Sequence, residues 1–472
     1  MVFASLIFLC IFLPVTLILY YICPNRRYRN GVLVLSSLIF YAWGEPLWIC
    51  ILLFVTLFSF LNAIIAERYR QEVKGKVIVA LTAAGNLLFL FLFKYTGFFI
   101  GILNSISGLR VSLPEISMPI GISFYTFQII SYVIDVYRGE VKAQRNPIKL
   151  LLYVSMFHQL IAGPIVRYKD IAEDIEHRKE SWDQIKAGVR RFAVGLAKKV
   201  LLGNIAGELA GTFLDGNLAR LSVVGAWTGI MLFAFQIYFD FSGYSDMAIG
   251  LGKMFGFTYK ENFDYPYISK SFTEFWRRWH ISLSSFFRDY LYIPLGGNRK
   301  NHIRNLFIVW FLTGLWHGAD WNFIFWGLFN FVFILLEKLF LGKLLEKIPV
   351  IISRLYFTAF VLTGWAFFYF TDTARLFAFL GAMFGTSGRS FIDFNATLIL
   401  ENNIVFIVIC LIACTPVAKF VTNAVKKVFA GRTKLIYGLK AYVKPMLYLL
   451  VFITTLIFMV SQTYNPFLYF RF

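Results

Sequence analysis

The chain has 472 residues, of which 58% are hydrophobic and 15% are charged, and its mean hydropathy is +0.67. Soluble domains average roughly 45–50% apolar and about 25% charged residues, so this composition excludes a soluble protein and predicts a polytopic membrane protein. The formal net charge of +20 comes from short basic clusters between apolar runs. This arrangement follows the positive-inside bias of cytoplasmic loops, so we expect contact with lipid headgroups and no nucleic-acid partner.

Apolar segments long enough to cross a bilayer as a helix, about 20 residues, recur along the chain. They lie near 2–22, 32–52, 50–66, 77–103, 118–137, 148–166, 189–213, 221–250, 306–336, 350–371, 374–386, 400–418 and 446–462. Several are short, fused or interrupted by Gly and Pro. We therefore predict an all-α fold with about eleven transmembrane helices plus re-entrant or interfacial helices. The loops are too short to fold alone, which predicts one membrane-embedded domain over 1–472.

The first apolar segment has no basic region before it and is followed by Arg26, Arg27 and Arg29. This order predicts an uncleaved first helix with its N-terminus outside and the arginines in the cytoplasm. Five cysteines lie in or beside apolar runs, and none has the spacing of a metal-ligand set. We predict neither a disulfide framework nor a metal site.

Two polar interruptions precede the middle of the chain. The segment 119–128 carries Gly121, Ser123 and Thr126 as a small polar stripe, which suits either helix packing or the lining of a pathway. In the next segment, Gly163 and Pro164 predict a broken helix of the re-entrant kind.

Asp240 and Asp246 form the second polar island in an apolar segment. They are six residues apart, so they do not share one helix face. Each needs a partner at that depth, and Arg277 or Arg278 is the expected supply. Buried ion pairing and a catalytic role both remain open for the two carboxylates.

The segment 272–290 is dense in charge and is predicted as an interfacial helix. Helical spacing places Trp276, His280 and Ser284 on one face. Two interpretations stay open for His280: a hydrogen-bonded structural residue, or a site residue that orients a substrate.

His317 lies inside an apolar run between Trp316 and Gly318, with Asp320 close behind. A histidine has no packing advantage there, and its near-neutral pKa suits a general base acting on a hydroxyl. Gly314 and Gly318 allow a substrate or another backbone to approach. A satisfied core histidine is the alternative. From the residues alone, acyl transfer and proton-coupled transport through His317 and Asp246 are equally supported.

Long motifs in a fixed order resemble the membrane-bound O-acyltransferase superfamily, in its bacterial polysaccharide or alginate O-acetyltransferase branch. They are PIGISFYTFQ, FHQLIAGPI, QIYFDFSGYSDMAIG, EFWRRWHISLSSFFRDYLYIPLGGNR and GLWHGADWNFIFWG. The resemblance covers nearly the whole chain. It implies a helical bundle around a central tunnel, with a catalytic core at about 119–336.

By this resemblance, His317 corresponds to the family's catalytic histidine and His280 to its second His/Asn position. Trp316, Asp320, Trp276 and Ser284 are expected beside the substrate. The resemblance also places Asp240, Arg277 and Arg278 in the surrounding core, without a specific role.

The resemblance further implies O-acetylation of an extracytoplasmic polysaccharide with help from an extracytoplasmic acetyltransferase partner. Acetyl-CoA is the expected donor, no cofactor is bound permanently, and the location is the bacterial inner membrane. In the aromatic tail 465–472, Tyr469 is either an acyl carrier or an interfacial anchor. D-alanyl transfer to teichoic acid from a carrier protein, acylation of a protein or lipid, and a proton-coupled transporter or flippase remain alternatives.

Overall fold

The computed structural model describes residues 1–108, 111–112, 117–161, 163–386, 388–428 and 439–462, with residues 426, 439 and 440 described by their backbone alone. All regular elements within these ranges are helical. The described chain divides into two compact units, one formed by 1–192 with 244–261 and the other by 193–243 with 262–472.

The first unit is built from the helices of the N-terminal part of the chain. They are a π-helical segment Phe8–Phe12 followed by Leu13–Ile22, Arg26–Ala42, Ile49–Arg68, Val73–Lys94, Thr96–Ser107, Ile122–Arg138, Pro147–Ser155, Phe157–Leu160 and Tyr168–His177. Two helices, Trp182–Ala197 and Val223–Met254, contribute residues to both units.

The second unit contains every histidine from His280 onwards. Its α-helices are Ile205–Leu214, Phe272–Arg278, Ile281–Phe287, His302–His317, Trp321–Leu336, Gly342–Lys347, Val350–Tyr369, Thr373–Met383, Phe394–Ala413, Val417–Val428 and Lys444–Ser461. Its π-helical segments are Lys198–Asn204, Arg288–Tyr292, Glu337–Leu341 and Leu439–Val443, and its 3-10 turns are Leu218–Arg220 and Pro266–Ile268.

Seven helices in the described ranges are long and apolar enough to cross a membrane, which confirms the polytopic all-α class. They are Ile49–Arg68, Val73–Ser107, Val223–Met254, Trp321–Lys347, Val350–Tyr369, Phe394–Ala413 and Ala441–Ser461. Two shorter apolar helices, Phe8–Ile22 and Thr373–Met383, add to them.

Several of the predicted apolar segments are divided into shorter helices. The 148–166 segment divides at Met156 into Pro147–Ser155 and Phe157–Leu160. The second of these helices ends before Gly163, which has φ +127°, and Pro164, as this pair predicted. The 306–336 segment divides at residues 318–320 into two helices. Gly318 follows the last residue of the first helix, and Asp320 caps the start of the second. Hydropathy alone does not detect such a break.

Candidate active site

His317 is the last residue of the helix His302–His317, so it lies at the turn of a helical hairpin. Gly318 is extended there, with φ −169°. Asp320 then caps the helix Trp321–Leu336, and its Oδ1 accepts from Trp321 N–H at 2.7 Å. Asp is a favoured N-cap residue, so the turn Gly318–Asp320 sets the position of the histidine.

The two helices of this hairpin pack backbone to backbone. A Cβ on Gly314 would overlap the carbonyl of Phe323, and one on Gly327 would overlap the carbonyl of Trp310. The sequence left open whether Gly314 admits a substrate or another backbone, and the structure shows the backbone of the partner helix there. Gly318 is similarly filled, because a Cβ at this position would overlap the ring of Phe323.

Aromatic rings enclose the His317 imidazole, which is 3% exposed. The ring centroids of Trp316, Trp326 and Phe368 lie 4.9, 5.0 and 5.2 Å from it, each in an edge-on arrangement. Rings packed this way exclude water and hold the imidazole in one orientation. Electrostatic interactions of a charge that forms there are stronger than in water.

His280 lies between two short helices rather than within one. Helix Phe272–Arg278 ends before it, His280 takes the left-handed conformation with φ +45° and ψ +53°, and helix Ile281–Phe287 follows. The prediction of one continuous helix with Trp276, His280 and Ser284 on a shared face is therefore wrong. The left-handed residue redirects the chain, so helical spacing no longer relates the residues on its two sides.

Polar and aromatic contacts hold His280, which is fully buried. Its Nδ1 lies 3.3 Å from Asn262 Oδ1 and 3.4 Å from Ser282 Oγ. Phe241 packs on the ring at 4.8 Å. Burial lowers the pKa of His280 well below its usual value, so the imidazole is neutral at physiological pH.

Trp316 links the two histidines. Its ring lies 5.8 Å from that of His280 and 4.9 Å from that of His317. The fold thus brings together two residues that are 37 positions apart in the sequence, 280 and 317.

Trp276 contacts one of the rings that surround His317. It packs against Trp326 at 5.5 Å, and its Nε1–H donates to Asn330 Oδ1 at 3.0 Å. Ser284 and Asp320 make hydrogen bonds with backbone groups: Ser284 N–H donates to His280 O at 3.1 Å, and Asp320 caps the helix that follows His317.

Asp240 pairs with Lys199, both side chains being buried, at 3.1 Å. Asp246, in the first unit, pairs with Arg191 at 2.7 Å. The expectation that Arg277 or Arg278 would supply these partners is wrong.

The two arginines have other surroundings. Arg278 pairs with Glu274 at 3.0 Å, one turn earlier on its own helix, and with Asp264 at 3.2 Å. Arg277 is exposed. Glu274 and Asp264, which are close to Arg278 in the sequence, therefore balance its charge.

Sequence reasoning missed several residues that support the two histidines. Lys199 was visible only as one member of a basic cluster, and Asn262 carried no signal. Glu337 is buried and caps the helix that leads to His280, since its carboxylate accepts from Phe272 N–H at 2.6 Å and Thr273 N–H at 2.8 Å. Tyr469 lies outside the described residues.

Comparison with known proteins decides the family. The family model of MBOAT, the membrane-bound O-acyltransferase family, matches residues 35–369, which include both histidines. The chain belongs to the membrane-bound O-acyltransferase family. It is therefore an O-acyltransferase and a multi-pass membrane protein, and the resemblance seen in the motifs is confirmed.

The relatives of this sequence cover between about half and all of the chain. The sequence is 38% identical to the probable alginate O-acetylase AlgI of Pseudomonas putida, over 100% of both chains. It is 33% identical to the peptidoglycan O-acetyltransferase of Helicobacter pylori, over 83% of this chain and 81% of that one. It is 28% identical to the teichoic acid D-alanyltransferase of Bacillus subtilis, over 56% of this chain and 69% of that one.

Proposed function

We propose that this protein transfers an acetyl group from acetyl-CoA to hydroxyl groups of an extracytoplasmic polysaccharide, with His317 as the general base. The relatives that align along most or all of the chain are named as O-acetylases or O-acetyltransferases of alginate and peptidoglycan. Both acceptors are polymers that carry sugar hydroxyls, which supports an acetyl group as cargo and a polysaccharide as acceptor.

The observation that carries the proposal is the enclosure of His317. Its imidazole is buried among Trp316, Trp326 and Phe368 at a helix end. A base in such a site is oriented before the substrate arrives and is shielded from water, which would otherwise hydrolyse a thioester.

The chemistry follows from these properties. His317 removes the proton of the acceptor hydroxyl, whose oxygen attacks the thioester carbonyl and forms the C–O bond. The C–S bond then breaks, and the proton passes from the imidazolium to the departing thiolate. The products are an O-acetyl ester and CoA thiol, so the imidazole is regenerated in each cycle.

The donor is expected on the cytoplasmic side, and the acceptor on the other. Acetyl-CoA carries phosphates, and the chain has 46 Lys and Arg against 26 Asp and Glu. Basic clusters at the cytoplasmic ends of helices attract such an anion. The donor acts as a substrate, and the proposal needs no permanently bound cofactor. In this proposal the protein resides in the bacterial inner membrane.

In the proposed sequence of steps, the phenol of Tyr469 accepts the acetyl group first. An extracytoplasmic acetyltransferase partner accepts it next, and the polymer accepts it last. A phenol with a pKa of about 10 reacts slowly unless a base removes its proton, and His317 is the proposed base. The aromatic tail as an interfacial anchor is the other interpretation. A Tyr469→Phe variant that still O-acetylates the polymer at the wild-type rate would favour the anchor.

The test is release of CoA thiol from acetyl-CoA by the purified protein in the presence of the extracytoplasmic partner and the polysaccharide, which accept the acetyl group. We expect release by the wild type, loss in His317→Ala, and wild-type rates in His302→Ala, which removes the histidine at the opposite end of the same helix. Equal release by the wild type and His317→Ala would overturn the role of His317.

D-alanyl transfer to teichoic acid is the second candidate, because D-alanyltransferases are among the relatives. They are less similar, at 28% and 29% identity over about half of this chain. Membranes supplied with a D-alanyl carrier protein in place of acetyl-CoA distinguish the two donors. Family membership favours an enzyme over the proton-coupled transporter.

A further inference from the structure

Asn262 is fully buried and contacts the backbone and side chains of the His280 turn. Its Oδ1 accepts from Ser282 N–H at 3.1 Å and from Ser282 Oγ–H at 2.8 Å, and it lies 3.3 Å from His280 Nδ1. Its backbone carbonyl also accepts from Ile281 N–H at 3.0 Å. One residue therefore contacts each member of the sequence 280–282.

The orientation of the Asn262 amide follows from one of these contacts. A backbone N–H can only donate, so the atom that faces Ser282 N–H must be the amide oxygen and not the NH₂ group. The same oxygen faces His280 Nδ1. If the imidazole proton were on Nε2, two lone pairs would face each other at this contact. A proton on Nδ1 turns it into a hydrogen bond.

Ser282 leads to the same assignment. Its single hydroxyl hydrogen is directed to Asn262 Oδ1, so towards His280 its oxygen can only accept. Both polar neighbours of Nδ1 therefore require a donor at this position. A neutral imidazole carries one proton, so Nε2 keeps its lone pair.

Asn262 also supports the strained backbone of His280. The left-handed conformation is uncommon for a residue with a side chain and persists only where neighbouring contacts enforce it. The hydrogen bonds to Ile281 and Ser282 fix the chain on one side, and Asp264 N–H donates to Arg278 O at 2.9 Å on the other. Ring orientation and proton position thus depend on the same short segment.

We propose that Asn262 is a positioning residue that holds His280 as the Nδ1–H tautomer, so that Nε2 serves the acyl transfer as a hydrogen-bond acceptor. His280 then accepts from a substrate hydroxyl or N–H and does not donate to the oxygen of the thioester carbonyl. The catalytic consequence rests on the proposed function, whereas the assignment of the tautomer does not depend on that function.

The direct test is ¹⁵N solid-state NMR of histidine-labelled protein in lipid, with the His280 signals assigned by their loss in His280→Asn. Nitrogen shifts distinguish a protonated Nδ1 from a protonated Nε2. We expect Nδ1–H in the wild type and in Asn262→Asp, which keeps the accepting oxygen.

Asn262→Ala is expected to move the proton to Nε2. Without the Asn262 oxygen, the Ser282 hydroxyl hydrogen is released and can donate to His280 Nδ1 instead. An Nε2–H signal in the wild type, or the same tautomer in Asn262→Ala as in the wild type, would overturn the proposal. If Asn262→Ala does not fold, the wild-type spectrum alone still decides.

Kinetics provides the second readout. Substitutions of residues that orient metal-binding histidines typically reduce activity by about 10- to 100-fold, and we take this factor as the expected size of the effect at His280. We expect Asn262→Ala to lower kcat for thiol release by this factor with little change in the KM for the donor, and Asn262→Asp to restore most of kcat. Wild-type kcat in Asn262→Ala, or a loss that Asn262→Asp shares, would contradict the positioning role.

The two proposals fail separately. If the wild type releases no thiol with any donor while the tautomer changes as expected, the proposed function fails and the Asn262 assignment stands. If thiol release depends on His317 but the tautomer does not depend on Asn262, the reverse holds.

Discussion

The two histidines of the site differ in their described surroundings. His317 ends a long helix and contacts three aromatic rings, Trp316, Trp326 and Phe368. His280 lies in a left-handed turn, and its described polar contacts are with Asn262 and Ser282.

This difference suggests a division of work. Rings fix the plane of the His317 imidazole by shape, which suits a base that must keep one orientation while it gains and loses a proton in each cycle. An amide oxygen fixes both the plane and the tautomer of His280, which suits a group that keeps one hydrogen-bonding role throughout.

Removal of both histidines tests whether they act in one reaction. We expect His317→Ala to lower kcat by about 10²- to 10⁴-fold, the usual contribution of a positioned base. The effects of residues that act as a unit are strongly non-additive. Adding His280→Ala to His317→Ala should therefore lower kcat little further. Initial rates at saturating donor measure this, and fully multiplicative losses would contradict a shared step.

Lys199 stabilises the surroundings of His280. Its partner Asp240 precedes Phe241 in the sequence, and the ring of Phe241 packs on His280. Lys199→Met leaves a buried carboxylate without this cation, which should lower the free energy of unfolding by about 3–5 kcal/mol. The double variant Lys199→Met with Asp240→Leu should recover most of the loss. Denaturant unfolding in detergent measures both, and a double variant as unstable as the single one would contradict the pairing.

Close packing of the two hairpin helices holds His317 in position. Gly314→Ala places a methyl group against the carbonyl of Phe323, so the hairpin helices must separate, at a cost of about 1–3 kcal/mol. Gly31→Ala is the matched control, because a Cβ there meets nothing within 4 Å. In a helix interior this control should stabilise by about 0.5–1 kcal/mol. Equal thermal shifts in the two variants would contradict the close contact.

The smallest effect is expected at Arg278. Its pairs with Glu274 and Asp264 are partly exposed, so Arg278→Ala should change the free energy of unfolding by less than about 1 kcal/mol. A loss as large as that of Lys199→Met would indicate that Arg278 supports the buried core after all. Parallel unfolding curves of the two variants make this comparison.

Composition and motif order were sufficient to predict the membrane class and the family, and the motifs selected His280 and His317 as candidate site residues. Hydropathy reports whether a segment can enter a membrane, and the motifs report residues in a fixed order. Neither reports where a helix stops. The breaks at His280 and at Gly318 depend on a left-handed residue and on a cap, which are local backbone features set by neighbouring segments.

The partners of buried charges were equally out of reach. Sequence proximity suggested Arg277 or Arg278 as the partner of Asp240, but Asp240 pairs with Lys199. A π-helical segment, Lys198–Asn204, carries this lysine into the core. Asn262 shows no pattern at all, because its role depends on which atoms of a distant turn it meets.

The most direct measurement follows the acetyl group itself. Inside-out vesicles of the native membrane receive acetyl-CoA labelled in the acetyl group on their outer, cytoplasmic face, and base-labile label on the lumenal polysaccharide is counted. We expect labelled polymer with the wild type and with His302→Ala, and none above background with His317→Ala. Equal labelling by His317→Ala, or released CoA without labelled polymer in the wild type, would contradict this expectation.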